Sequence, residues 1–153
     1  MDVAVVVLNW NAAADTIACL KPVGDWQTVR PFLIVVDNAS LPADLAQIEQ
    51  QLPQAHLIKN SENEGFSGGC NRGMAAALAK GDAPILLLNN DAAIAETAVQ
   101  QLLHTLEQNP RIGMVVPQLL DEHGELVAVG GKNPAFHLQP RVQRFANDDP
   151  VQL

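Results

Sequence analysis

The sequence predicts an α/β domain with a mainly parallel sheet flanked by helices. Three observations carry this. Apolar, β-branched runs alternate with helical patterns four times in the first 116 residues, which is how right-handed βαβ units are written. The two longest runs, Val3–Leu8 and Phe32–Val36, are continuously apolar, as suits strands buried on both faces. Each run ends in Asn or Asp, the turn chemistry expected where a strand leaves a sheet.

Taken in order, Val3–Asn9 is the first strand and Ala12–Leu20 the first helix. Phe32–Asp37 is the second strand, and Ala43–Leu52 a helix stopped by Pro53. His56–Lys59 is a short third strand. Gly68–Lys80 is a helix entered through glycines and closed by Gly81. Ile85–Asn89 is the fourth strand. Glu96–Gln108 places Val99, Leu102, Leu103 and Leu106 on one face and ends before Pro110. Ile112–Val116 reads as a fifth strand. Beyond Pro117 the pattern changes to two short strands around the turn residues Glu122–Gly124. From Asn133 the periodicity fades among Pro134, Pro140 and Pro150. The expected organisation is a ligand-binding domain over residues 1–131 and an irregular tail over 132–153.

The 153 residues suffice for one domain, and a domain of that size buries roughly 70% of its unfolded surface. The net charge of −8 opposes a phosphate backbone, so nucleic acid is a poor partner. No apolar run approaches the ~20 residues of a membrane span. The start lacks the basic residues of a signal peptide. Two separate cysteines, Cys19 and Cys70, give no disulfide framework and suit a reducing cytoplasm. The chain is therefore expected in the cytoplasm, or peripheral to the inner membrane.

Ligands of open α/β sheets bind beyond the carboxyl ends of the strands. Four clusters lie there: Asn9-Trp10-Asn11, Asp37-Asn38-Ala39-Ser40, Asn60–Gly65 and Asn89-Asn90-Asp91. One Asx after a strand is ordinary; one cluster per strand on a common rim points to a polar ligand. The glycine-rich stretch NEGFSGGCNRG lacks the Lys-Ser/Thr of a P-loop and the GxGxxG spacing of a dinucleotide fingerprint. It leaves a flexible backbone running into a helix N-terminus, which can face phosphate or sugar hydroxyls, or simply lets loop and sheet pack closely. Trp10 reads either as a stacking surface or as a core aromatic. His56, His104, His123 and His137 show no metal-ligand spacing.

The blocks VVVLNWN, LIVVDNAS, NSENEGFSGGCNRGM and ILLLNNDAAI, with the later PQLLDEHGELVAVGG, resemble in order and spacing those of family 2 glycosyltransferases, most of all the bacterial rhamnosyltransferase-like branch. The resemblance spans roughly residues 3–131. It implies a GT-A (Rossmann-like) fold, a UDP- or dTDP-sugar donor, magnesium or manganese, and a saccharide or lipid-linked acceptor of the kind used in cell-surface polysaccharide synthesis. By this resemblance Asp37 accepts from the base N–H, Asn9 and Asn11 line base and ribose, and Asn63, Gly65 and Asn71 lie beside base and sugar. Asn89-Asn90-Asp91 stands for the metal motif, with Asn90 at the donor and Asp91 as the carboxylate that reaches the metal.

Two departures stand out. Leu41-Pro42-Ala43 follows the serine where an acid is common, leaving Asp44 as the nearest one. Cys70 stands where relatives carry Arg, with Arg72 two residues on, here read first as a solvated helix residue. The general base of an inverting transferase, which must deprotonate the acceptor, lies in this family well downstream of the metal motif. Asp148 and Asp149 are poor candidates, so the catalytic base is expected to be absent from this chain. The expected arrangement is thus a truncated donor half, unable by itself to transfer sugar at a useful rate, with an uncovered apolar edge that favours a homodimer. The alternative is a non-catalytic nucleotide-binding or partner-binding module. A sugar nucleotidyltransferase fits less well, because NWNAAADT is not the glycine-rich basic loop those enzymes carry after the first strand.

Overall fold

A computed structural model describes residues 1–121 and 123–128. They form two compact units, the second beginning at Ile94. The first holds β1 (Asp2–Asn9), α1 (Ala13–Gly24), β2 (Arg30–Asp37), α2 (Pro42–Gln51), β3 (His56–Lys59), α3 (Gly65–Lys80) and β4 (Ile85–Leu88). All its strands are parallel, in the order β3-β2-β1-β4. β1 and β2 are central, which is why their sequences are apolar on both faces. β3 and β4 are four-residue strands at the margins.

The order explains the layering. Chain progress from β1 to β2 to β3 runs one way across the sheet. The step from β3 to β4 runs back past β1. Right-handed crossovers in opposite directions lie on opposite faces, so α1 and α2 cover one face and α3 the other. Side-chain alternation agrees. Odd-numbered Val3, Val5, Val7, Leu33 and Val35 belong to the α1/α2 face, with Leu20, Val23, Ile48 and Leu52 completing that buried core. Even-numbered Ala4 and Val6 cluster with Ile34, Val36 and Ala77 of α3.

α3 sits close to the sheet because two of its inward positions are glycine. A Cβ on Gly69 would lie 2.2 Å from Leu8 Cδ1, and one on Gly73 2.3 Å from Val6 Cγ1. Close packing thus accounts for Gly69. α3 also begins at Gly65, three residues before the expected start. Gly65 takes φ +71°, and its N–H donates to Asn63 Oδ1 at 2.8 Å. At the other end of α1, Pro22 sits in the last turn and the helix continues to Gly24, past the expected Leu20.

The second unit holds α4 (Glu96–Gln108) and an antiparallel pair, β5 (Leu119–Leu120) and β6 (Leu126–Ala128). Its turn is drawn together by Asp121, whose Oδ1 accepts from the N–H groups of His123 and Glu125. Ile112–Val116 forms no strand, contrary to the sequence pattern. Gly113 interrupts the run and Pro117 follows it, while Met114 and Val116 are left exposed; a short run so punctuated lacks the continuity a ladder needs. The expected tail from 132, with its boundary at 131/132, lies outside the described residues. No described helix is long and apolar enough to cross a membrane.

Candidate functional site

In a sheet of order 3-2-1-4 the chain reverses between β1 and β4, and the crevice for a ligand opens at that switch point, beyond the carboxyl ends of the strands. A cleft of about 320 Å³ lies there. Its floor is Val6 and Leu8 of β1 with Leu87 and Leu88 of β4. Phe66 and Cys70 of α3 form one wall, Trp10 and Ala12 another, and Asn89-Asn90-Asp91 the polar lip. Trp10 is 58% exposed and Phe66 61%. Trp10 is therefore a surface aromatic at the mouth of the cleft rather than a core one.

The opposite side of the same rim is closed and polar. Asn9 is fully buried, and its Nδ2 has three acceptors for two hydrogens: Asp37 Oδ1 at 2.9 Å, Ser40 Oγ at 3.0 Å and Asp44 Oδ2 at 2.8 Å. Thr16 Oγ1, also fully buried, donates to Asn9 Oδ1 at 2.9 Å. Asp44 Oδ1 accepts from Ala13 N, so an α2 carboxylate takes up a free N–H at the start of α1. Asp37 Oδ2 accepts from Ser40 N at 3.1 Å. Asn11, at φ +53°, donates its N–H to Ser40 Oγ and accepts from Leu41 N.

A second polar cluster fixes the loop after β3. Asn38 Nδ2 donates to Asn63 Oδ1 at 2.9 Å and to the Gly65 carbonyl at 3.1 Å, and Asn38 Oδ1 accepts from Asn60 Nδ2. Asn60 Oδ1 is buried and unpaired. Arg72 is engaged by Glu64, through Nε at 2.7 Å and through Nη2; the guanidinium hydrogen bond holds the Glu64 carboxyl below its usual range.

The residues singled out in the sequence thus divide. Asn90 and Asp91 line the cleft. Asn63 and Gly65 lie in the loop that Asn38 ties down, and Asn71 is exposed on α3. Asn9 and Asp37 are register partners and turn to the α1/α2 face. The expectation that Asp37 accepts from a base N–H sits against its burial: it is 2% exposed, with both oxygens engaged from within the chain. The sequence reading passed over Thr16, and it named Asn38 and Asn60 only within the rim clusters, without a role of their own. Parity would have found Asn38, because it shares a face with Val36 while Asp37 does not.

α1 also grips the β4 loop. The Cys19 thiol donates to the Asn89 carbonyl at 3.5 Å. Burial first, and then the charge of Asp91, push that thiol up to about 11. For a divalent cation the donor set is sparse. The described residues hold no cluster of three or more His, Cys, Asp or Glu side chains, and Asp91 is the one carboxylate on the cleft. That fits a hard cation carried mainly by diphosphate oxygens and water, which needs only one or two protein carboxylates. It does not fit a cage preformed by protein.

A parallel sheet with its cleft at the switch point, walled by a glycine-entered helix, defines an open α/β class of domain with its ligand crevice at the carboxyl ends of the strands. Residues 4–148 match the family model for glycosyl transferase family 2, and the chain belongs to that family. Among solved structures it is similar to the mannosyltransferase PcManGT from Pyrobaculum calidifontis, in complex with GDP-Man and Mn2+, with a TM-score of 0.61 and 19% identity over 78% of this chain and 35% of that one. It is similar also to S. aureus TarS 1–349, with a TM-score of 0.54 and 19% identity over 77% of this chain and 39% of that one. The same TarS fragment with UDP-GlcNAc gives 0.54, at 77% and 37%. The chain thus spans less than two-fifths of these neighbours. They share its fold, an α/β domain of the GT-A kind. Comparison with curated proteins gives no match.

Proposed function

We propose that this chain is the nucleotide-sugar-binding part of a glycosyltransferase, with UDP- or dTDP-sugar as donor and magnesium or manganese as the cation. The observation that carries this is the cleft at the β1/β4 switch point, with Asn90 and Asp91 on its lip. The family match and neighbours crystallised with UDP-GlcNAc or GDP-Man support it.

In this reading the diphosphate lies against Asn89-Asn90-Asp91 and the N-terminal end of α3, and the sugar enters the cleft between Trp10 and Phe66. Exposed aromatic faces there offer apolar contact to a sugar ring and exclude water from it. Asn63, Gly65 and Asn71 flank the base and sugar, and Asn11 lies toward the ribose. Asn9 and Asp37 act from beneath, by holding the ends of β1 and β2 in place. The cation, when bound, offsets charge that develops on the leaving diphosphate; Asp91 holds it. A saccharide or lipid-linked acceptor and a rhamnosyl donor belong to the same proposal.

One observation favours a binding role for the described residues alone. Among the described residues Asp91 is the sole carboxylate lining the cleft, and a carboxylate committed to a cation cannot also take the acceptor's proton. In this reading a general base, which contributes about a hundred- to ten-thousand-fold, comes from residues outside that lining. The deciding experiment is calorimetric titration with UDP, dTDP and GDP, with manganese and then with EDTA. A pyrimidine diphosphate should bind more tightly with the metal, and Asp91→Ala should abolish that difference. Equal affinity in manganese and EDTA would remove Asp91 from the proposal.

A further inference from the structure

The buried polar network and the open cleft meet at one residue. Asn90 Nδ2 donates to Thr16 Oγ1 at 3.3 Å. Thr16 is fully buried on α1 and lies 74 residues away in sequence. The direction of that contact is set by groups further in. Asp37 and Asp44 carboxylates only accept, so the Asn9 amide must present its NH2 to them and its oxygen to Thr16. Thr16 therefore spends its single proton on Asn9 Oδ1. What remains on the hydroxyl is lone pairs, and whatever faces them must be a donor. Asn90 can satisfy Thr16 only with its NH2. The amide is planar, with its oxygen on the other arm of the fork, so that oxygen is turned away from α1, on the lip where Asp91 also stands.

We propose that Thr16 is the positioning residue of the β4 loop: with its proton committed to Asn9, it fixes the Asn90 side chain so that the carbonyl oxygen stands beside Asp91 as an oriented, uncharged oxygen toward the cation that carries the diphosphate. This rests on the donor-site reading above and extends it to a residue that touches neither donor nor cation. The chain of direction runs from the buried Asp37 and the half-buried Asp44 carboxylates through Asn9 and Thr16 to Asn90. Cys19, three residues along α1 from Thr16, braces the same loop at the Asn89 carbonyl. The two anchors hold backbone and side chain separately, so losing Thr16 frees the amide without releasing the strand.

The test compares wild type, Thr16→Ser and Thr16→Val in calorimetric binding of UDP with Mn2+, alongside the side-chain amide resonances of Asn90 in the ligand-free protein. Thr16→Val keeps the shape and removes the hydroxyl. It should weaken UDP–Mn2+ binding by about five- to tenfold, the scale of one lost oriented hydrogen bond, while Thr16→Ser stays within about twofold. In an Asn90→Ala background the Thr16→Val effect should vanish, because both act through one side chain. In wild type the Asn90 NH2 should exchange with solvent more slowly than the exposed Asn71 NH2. That last reading needs neither ligand nor variant, so it stands if Thr16→Val fails to fold. Equal exchange at Asn90 and Asn71, unchanged affinity in Thr16→Val, or Thr16→Ser as weak as Thr16→Val would each overturn the proposal. Slow Asn90 exchange in a protein that binds no nucleoside diphosphate would leave the relay standing and sink the donor-site reading instead.

Discussion

The two sides of the sheet's carboxyl rim are built from adjacent residues and do opposite things. On the α1/α2 side Asn9, Thr16 and Asp37 are almost wholly buried and hydrogen-bonded to one another or to their neighbours. On the α3 side Trp10, Phe66 and Asp91 stand open around a cleft. Asn9 and Trp10 are consecutive, yet Asn9 is buried while Trp10 stands open at the cleft, where Asn90 and Asp91 both lie. Neighbouring residues at the end of a strand thus turn to opposite sides of the rim.

The contrast predicts opposite signatures for two aspartates. Asp37→Ala should lower stability by about 3 kcal/mol, because it removes the charged acceptor shared by the Asn9 amide and the Ser40 N–H. Nucleotide affinity should fall only as the fold loosens. Asp91→Ala should change stability by no more than about 0.5 kcal/mol, as exposed substitutions usually do, yet abolish the metal dependence of binding. Denaturant unfolding beside calorimetry separates the two. An Asp37→Ala protein of wild-type stability but impaired pyrimidine binding would return Asp37 to the role of base acceptor.

Close approach on the α3 side gives the next largest effect. Gly73→Ala puts a methyl 2.3 Å from Val6 Cγ1 and 3.0 Å from Val36 Cγ2, both on rigid central strands. Overpacking of this kind costs about 2 kcal/mol. α3 should be pushed outward, so the same variant should widen the cleft and weaken ligand binding. Thermal unfolding unchanged from wild type would mean that the sheet yields more easily than its burial suggests.

Much of this was legible beforehand. The alternating runs gave the strands and helices of the first unit to within a few residues, because central parallel strands must be apolar on both faces and say so in sequence. The hairpin around Asp121 was legible from its turn residues. Ile112–Val116 was misread, since a short apolar run carries no record of whether a neighbour will pair with it. The rim was legible as a rim, yet the division of labour within it was not. Asp37 and Asn38 look equivalent on paper; only counting up the strand from Val36 separates them. Thr16 left no signal, because a threonine inside a helical pattern is unremarkable until the fold sets it beneath Asn9 and Asn90.

Strain at the rim gives a smaller effect of opposite sign. Ala39 holds φ +62°, a left-handed conformation that costs a non-glycine residue roughly 1–2 kcal/mol. Ala39 is exposed, so its methyl contributes no core packing. Ala39→Gly relieves the strain but gives the unfolded chain more freedom, and the net should be a gain of about 1 kcal/mol. A higher melting temperature with unchanged nucleotide affinity is the expected result. Loss of affinity would show that the strained turn presents Ser40 and Asn11 to the ligand.

The finest contrast is electrostatic and lies where α1 meets the β4 loop. Cys19 keeps its proton in the fold until about pH 11, against an ordinary value of 9.0, with burial the larger cause and the Asp91 charge the second. Its folded value is the raised one. The unfolded chain therefore loses this proton as pH passes 9 while the folded chain keeps it. The neutral thiol's contribution to stability is complete below that point and drains away as pH rises toward 11. Wild type should lose more stability across that alkaline window than Cys19→Ala. The thiolate can be followed by its ultraviolet absorbance, since the chain has no tyrosine to obscure it. Cys70, whose thiol burial also raises, is removed by working in a Cys70→Ala background. Asp91→Asn should then lower the Cys19 midpoint by less than the full shift, because burial remains. A midpoint that falls all the way to the ordinary thiol value would make the open carboxylate, and not the closed side of the rim, the dominant influence on α1.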